Sequence, residues 1–291
     1  MRGERIWGIW VLAAVALCVM LLAGCAPTPR AQYERLLDAL QQMRQYHLQG
    51  RMIWVGPQGS DRYRLEVWQR KDGALRLSVS DGSGQLLVRN AQGLFLLTPA
   101  AGERLRLPNG WTPQALPYLP GGMVAFLKQS VFTPPVREGK GWVVRCNGIG
   151  TPLYASIEIQ FGPNRRPVRF QSEDQTGRFR LMVFFDRWET PAQMEDRLFA
   201  TPLPSKNTAG TQGRYLAVLS KQEWIETSVG GAEAIHTGRL VSIGPLLGAV
   251  WSGPTGASLL WWGDQRGWHT FGGSLAAGAA QEEVATLIAP P

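Results

Sequence analysis

The 291-residue chain predicts a mainly β protein of the α+β class: a long antiparallel meander with a covering helix, then a small α+β C-terminal domain. Three observations predict it. Across residues 48–185, short runs alternate apolar and polar side chains, the period of half-buried strands. Turn signals separate those runs: Gly56-Pro57, Asp72-Gly73, Asp81-Gly82, Asn109-Gly110 and Gly162-Pro163-Asn164. Finally, residues 201–213 are rich in Pro, Thr, Gly and Ser and nearly free of apolar side chains, the composition of a linker.

The N-terminus reads as an export signal. Arg2 and Arg5 form a short positive region, residues 6–22 are almost wholly apolar, and Leu22-Ala23-Gly24-Cys25 closes the run. That is the pattern of a bacterial lipobox, in which Cys25 receives a diacylglyceryl group and becomes the mature N-terminus. The apolar run sits at the short limit for a membrane-spanning helix, which needs about 20 residues. Two acyl chains suffice for stable anchoring. The expected boundaries are therefore a signal peptide over 1–24, a lipidated tether over 25–30, a first domain over 31–200, the linker over 201–213 and a second domain over 214–291.

Composition narrows the function. The formal net charge of +8 falls by one when Arg2, Glu4 and Arg5 leave with the signal. The positives are scattered along alternating segments, so nucleic acid is not expected as a partner. Attraction to anionic headgroups is, at about 1 kcal/mol per well-placed cation. Cys18 leaves with the signal and Cys25 carries lipid. Cys146 is then the sole remaining thiol, with no internal disulfide, and shares a strand face with Trp142 and Val144.

The elements follow in order. Tyr33, Leu36, Leu37, Leu40 and Met43 recur at helical spacing and predict an amphipathic helix ending near Tyr46, with His47 at its C-terminal dipole. Strands are expected where Tyr63, Leu65 and Val67 alternate with Arg62, Arg64 and Glu66, and likewise around Leu75–Val79, Leu105 and Leu107, 155–161 and 179–185. Residues 120–131, with Met123, Val124, Phe126, Leu127 and Val131, predict a short helix between two halves of the sheet. Leu86-Leu87-Val88, Leu94-Phe95-Leu96-Leu97 and Met182-Val183-Phe184-Phe185 are apolar on both faces and need cover on both sides. After the linker, strands are expected over 215–219, 234–241, 249–251, 258–262 and 268–273, then a helix over 279–289.

Catalytic and metal chemistry is not expected. His47, His236 and His269 have no ligand-spaced neighbours. Gly148-Ile149-Gly150 lacks the third glycine of a dinucleotide loop, Ser83 lacks a nucleophile elbow, and Asp81, Glu173 and Asp174 read as turn formers. No cofactor is expected, and the reading is non-enzymatic. The tryptophans, concentrated at Trp261, Trp262 and Trp268, read as packing residues.

Val79-Ser80-Asp81-Gly82, followed by Gly93-Leu94-Phe95-Leu96-Leu97-Thr98-Pro99, resembles a hairpin of the LolA/LolB lipoprotein-carrier superfamily, and the overall pattern matches over residues 31–200. The segment 109–119 is similar to a stretch in Gram-positive sorting-like lipoproteins, the branch with GerS-type germination proteins. The resemblance implies an unclosed antiparallel β half-barrel covered by helices. It also implies an apolar cavity, which in carriers holds acyl chains. Leu87, Phe95, Leu97, Met182 and Phe184 are the candidate lining.

Two features depart from a carrier. A lipidated Cys25 does not suit a soluble shuttle, and the second domain resembles the two-domain arrangement of RseB-like envelope regulators. Ala26 after Cys25 supplies no aspartate to signal inner-membrane retention. The expectation is thus a stationary extracytoplasmic lipoprotein, on the cell membrane or on an outer membrane if the cell has one. It would hold an acyl chain or a protein partner, with a cortex amidase as partner in a spore-former. The alternative is an envelope-sensing regulator acting on a membrane signalling protein.

Overall fold

The computed structural model describes residues 27–57, 59–80, 84–98, 103–107, 116–147 and 152–201. Beyond the linker it describes 216–220, 223–226, 239–243, 246–252, 258–264, 267–273 and 284. The expected signal peptide, the expected lipobox residues Leu22, Ala23, Gly24 and Cys25, and nearly all of the expected linker lie outside the described residues.

Helix α1 (Pro29–Gln42) starts where Thr28 Oγ1 accepts from the Ala31 N–H at 3.2 Å, with Pro29 fitting the first turn. It buries Tyr33, Leu36 and Leu40. The helix stops before the expected Tyr46, and the Met43 N–H closes it on the Leu40 carbonyl at 3.1 Å. Tyr46 and His47 instead open a strand and pair with Gln69 and Trp68, so His47 is no helix terminus. Cross-strand pairing takes over from the helical period at that point.

Six strands then run as a meander: β1 (Tyr46–Gly56), β2 (Gly59–Gln69), β3 (Leu75–Ser80), β4 (Gln85–Asn90), β5 (Gly93–Thr98) and β6 (Glu103–Leu107). Helix α2 (Pro120–Gln129) interrupts, as residues 120–131 predict, with Pro120 in its first turn and the Ser130 N–H bonded to the Phe126 carbonyl at 2.9 Å. Five more strands return: β7 (Val136–Glu138), β8 (Gly141–Asn147), β9 (Ser156–Phe161), β10 (Pro167–Glu173) and β11 (Arg180–Glu189).

All eleven form one antiparallel sheet in the order β6-β5-β4-β3-β2-β1-β11-β10-β9-β8-β7. The seam is β1 against β11, so the first and last strands of the meander meet in the middle while β6 and β7 remain the edges. The result is the unclosed half-barrel. At the seam a register shift between Gln49 and Gly50 brings the Phe184 carbonyl so near that a Cβ on Gly50 would stand 2.5 Å from its oxygen.

A second sheet contains β12 (Leu216–Ser220), β13 (Glu223–Glu226), β14 (Arg239–Ile243), β15 (Leu246–Ser252), β16 (Ser258–Asp264) and β17 (Gly267–Gly273), in the order β13-β12-β17-β16-β15-β14. Of the strand expected over 234–241, only 239–241 are described. Of the final helix expected over 279–289, only Val284 is described, helical and buried. Strand β13 was not anticipated. Trp261 and Trp262 lie on β16, opposite Thr270 and His269 of β17. His236 lies outside the described residues.

The two sheets share one core. Val241, Ile243, Leu246, Leu247 and Leu260 belong to the same buried cluster as Leu87 and Leu96 of the half-barrel and Leu36 of α1.

Candidate binding face

The register sorts the half-barrel residues onto two faces. Leu48, Met52 and Trp54 of β1 share the concave face with Leu65 and Val67 of β2, Leu181 and Val183 of β11, and Phe170 of β10, and all are buried. This face is a nearly continuous apolar surface, as interlocking alternation requires.

Its cover is small. Helix α1 lays Leu36 and Leu40 on it, and the segment through α2 adds Leu116, Tyr118, Leu119, Met123, Phe126 and Leu127, all buried in the same cluster. The two covering pieces are joined where the Tyr33 hydroxyl donates to the Leu127 carbonyl at 2.6 Å. The Tyr33 ring also meets Phe132 edge-on at 5.2 Å, and Arg30 stands over Phe132 at 5.3 Å. In this state the concave face is filled by its own lid.

Three polar atoms in that interior have no hydrogen-bond partner among the described residues: Trp54 Nε1, Tyr118 Oη and Ser172 Oγ. Cys146, as its strand pattern predicts, is buried on the concave face beside Val144, and burial pushes its thiol pKa up. That makes it a packing residue.

The five candidate lining residues do not share a face. Leu87 points to the concave core. Phe95 and Leu97 point the other way and join Leu86 and Val88 in a separate buried cluster on the convex side. Met182 and Phe184 are also convex, opposite Ile53 and Arg51, and only half-buried. Phe184 lies between the Arg51 and Arg169 guanidinium groups, at 5.7 and 5.8 Å. Arginine stems and planes thus supply the cover that an apolar layer was expected to give. Arg51 is itself held by Asp186 through two 2.9 Å bonds.

The convex face also holds an unforeseen relay. His47 is buried, with Nδ1 3.0 Å from Glu189 and Nε2 3.0 Å from Glu66, and stacks on Trp68 at 3.5 Å between centroids. Each ring nitrogen thus faces one carboxylate oxygen. Burial pushes the Glu66 carboxyl up, but hydrogen bonds from His47 and Gln49 outweigh it and leave it below the ordinary value. The His47 hydrogen bond likewise holds Glu189 down, aided by Arg187. The carboxylates sit on opposite ends of the ring and cannot chelate one ion. Among the described residues no His, Cys, Asp and Glu cluster is built to hold a metal.

Asp174 is a turn former, as its position between β10 and β11 suggested. It accepts from the Phe179 N–H at 2.8 Å, from the Thr176 N–H at 3.2 Å and from the Thr176 hydroxyl. Sequence reading missed Gln85, Trp54, Tyr118 and Ser172. Gln85 had a signal, one amide heading an apolar run; the others emerge only from the register.

No family model and no curated protein matches this chain. Solved structures similar to it include a LolA superfamily protein from Nitrosomonas europaea, 13% identical, covering 58% of this chain and 97% of that one at a TM-score of 0.32. MucB is 18% identical over 81% of this chain and 77% of its own, TM-score 0.40. The Pseudomonas aeruginosa MucA/MucB complex is 17% identical over 80% and 76%, TM-score 0.35.

Proposed function

We propose that this chain is a non-enzymatic, lipid-anchored extracytoplasmic binding protein whose half-barrel receives an acyl chain when the α2 lid lifts. The observation that supports it is the concave face itself: a broad apolar surface buried under α1 and the α2 segment, in one cluster with residues of the second sheet. A surface of this kind gains about 25 cal/mol for each Å² of apolar area kept from water, by its own lid or by an acyl chain in the lid's place. Anchoring through Cys25 keeps the protein at the membrane that supplies such chains. Among the described residues no helix is long and apolar enough to cross a membrane.

Native mass spectrometry of the mature protein, purified from membranes with its lipid anchor, tests this reading. Co-purifying acyl species beyond the mass of the anchor support it. A single mass that takes up no added diacylglycerol would overturn it. Replacing Cys25→Ala should leave unprocessed precursor that incorporates no labelled palmitate.

A second reading, an envelope regulator, draws on the joint between the sheets. Because Gln85 and Leu247 tie the half-barrel core to the second sheet, occupancy of one can alter the surface of the other. Ligand-dependent capture of a membrane signalling protein would favour it. The germination role implied by the sorting-like resemblance is tested by scoring spore germination in a deletion strain of a spore-forming host.

A further inference from the structure

Val131 and Val136 are the most exposed large apolar side chains among the described residues, at 86% and 54%. Single exposed apolar residues are ordinary, but these two share one short segment between α2 and β7. Pro134 and Pro135 fix two of its φ angles and supply no N–H. The segment runs along β8, from Ser130 against Cys146 to Val136 paired with Val143. Its start is also the root of the expected tether. Arg30 stands over the Phe132 ring at 5.3 Å, and Tyr33 meets the same ring edge-on at 5.2 Å. Thr28 is only three residues from Cys25, at most about 11 Å of extended chain. A lipid on Cys25 would therefore hold this edge of the half-barrel near the bilayer surface.

The charges at this edge suit an anionic surface. Lys128, Arg137 and Lys140 are exposed on either side of the valines, and Glu138 is the one carboxylate between residues 128 and 140. On the outer side of α1, Arg30 is paired with Glu34 at 2.8 Å, and Arg35 is offset by Asp38. On β8, Arg145 is paired with Glu158 at 2.8 Å. A positive excess thus surrounds exposed apolar side chains, the pattern of an interfacial membrane contact. A strand-adding peptide fits less well, because β7 is three residues long and carries Arg137 and Glu138, a short and charged edge.

We propose that the segment 131–136 seats on the bilayer that anchors the chain, with Val131 and Val136 in the headgroup–acyl boundary and Lys128, Arg137 and Lys140 on anionic headgroups. This rests on anchoring through Cys25 and does not need the acyl-binding reading. A lipid tether alone lets a domain turn freely about its root. The seated edge is a second attachment, which fixes the side of the half-barrel that faces the membrane. Because the segment continues directly from α2, seating it places the lid beside the bilayer.

The test uses the mature protein, its Cys25 lipid read by mass spectrometry, in phosphatidylcholine vesicles containing about one-third phosphatidylglycerol. An environment-sensitive thiol dye is attached through Val131→Cys, Val136→Cys or, as a control, Lys71→Cys in the exposed β2–β3 turn. Cys146 is buried and does not compete for the dye. Dyes at positions 131 and 136 should shift to the blue and be quenched by lipids carrying a nitroxide near the headgroup; the dye at position 71 should do neither. Lys128→Gln with Lys140→Gln should lower the seated-to-free ratio about fivefold for each cation removed. Salt at about 1 M should lower it too, without releasing the protein from the vesicle. A dye at 131 or 136 as open to water as the one at 71 would overturn the seat while the anchoring stands. A blue shift without nitroxide quenching, with a chain dimer on cross-linking, would assign the edge to a second copy and also overturn it. Protein with no diacylglyceryl on Cys25 would overturn the anchoring and the seat together.

Discussion

The Gln85 side chain binds both backbone groups of Leu247: its Oε1 accepts from the Leu247 N–H at 2.7 Å, and its Nε2 donates to the Leu247 carbonyl at 2.8 Å. Gln85 is 0% exposed. One amide thus imitates a strand neighbour and joins the half-barrel to the second sheet. Gln85→Ala strands two backbone groups and should cost about 1–3 kcal/mol. Gln85→Glu should cost more, because a carboxylate replaces the donor facing a carbonyl. In urea, either variant should split one unfolding transition into two, read by tryptophan fluorescence; a single unshifted transition would show that the joint contributes nothing.

The Tyr33 hydroxyl bonded to the Leu127 carbonyl joins the two halves of the lid. Tyr33→Phe removes that bond and keeps the ring on Phe132. Leu127 O retains the Ser130 hydroxyl at 3.2 Å, so the expected loss is about 1 kcal/mol. If the lid gates the concave face, a fluorescent acyl probe should enter Tyr33→Phe faster than wild type in stopped flow.

Glu66, Glu189, Asp72 and Asp174 all have folded pKa values below their ordinary ones. For Asp72, hydrogen bonds from Arg70 are the main cause. A depressed carboxylate adds stability that is fully present above the unfolded value, about 4. That stability is lost as pH falls through the folded value. Stability should therefore be flat between pH 6 and 7 in this respect and fall below about pH 4. The double variant Glu66→Gln, Glu189→Gln should lose less between pH 6 and 3.5 than the wild type, measured by urea midpoint. An equal loss would show that the His47 relay does not contribute to acid sensitivity.

Gly141 opens β8 where the Phe161 backbone crosses: a Cβ there would lie 2.0 Å from the Phe161 oxygen and 3.2 Å from its carbonyl carbon. Backbone cannot swing aside as a side chain does. Gly141→Ala should cost about 3 kcal/mol or more. Gly177, at φ +72° with open space around its Cβ position, meets only conformational strain. Gly177→Ala should cost about 1–2 kcal/mol. Calorimetric Tm values that rank the two in the opposite order would contradict this account.

Much of the fold is legible in the sequence because alternation is a local property. Arg62 to Val67 and Leu75 to Val79 show their strands through spacing alone, and Pro120 with Met123, Phe126 and Leu127 shows the lid helix. The helix end was misread because Met43 and Tyr46 continue a helical period that backbone pairing of Tyr46 with Gln69 cuts short. The lining set was read from apolar character, but Leu87 and Phe95 are equally apolar and face opposite ways. Only the β4–β5 register, with Leu87 opposite Leu96 and Val88 opposite Phe95, separates them.

By itself the sequence determined the alternation of the strands and the place of the covering helices, and it raised the expectation of a lipid address at Cys25. These follow from near-neighbour chemistry: period and a motif of four letters. Tertiary structure alone decided that β1 pairs with β11, that His47 lies between Glu66 and Glu189, that Gln85 joins Leu247, and that Trp54, Ser172 and Tyr118 share one interior. The physical reason is chain separation. Those partners lie between 19 and 162 residues apart, so register and packing, rather than local propensity, set which side chains meet.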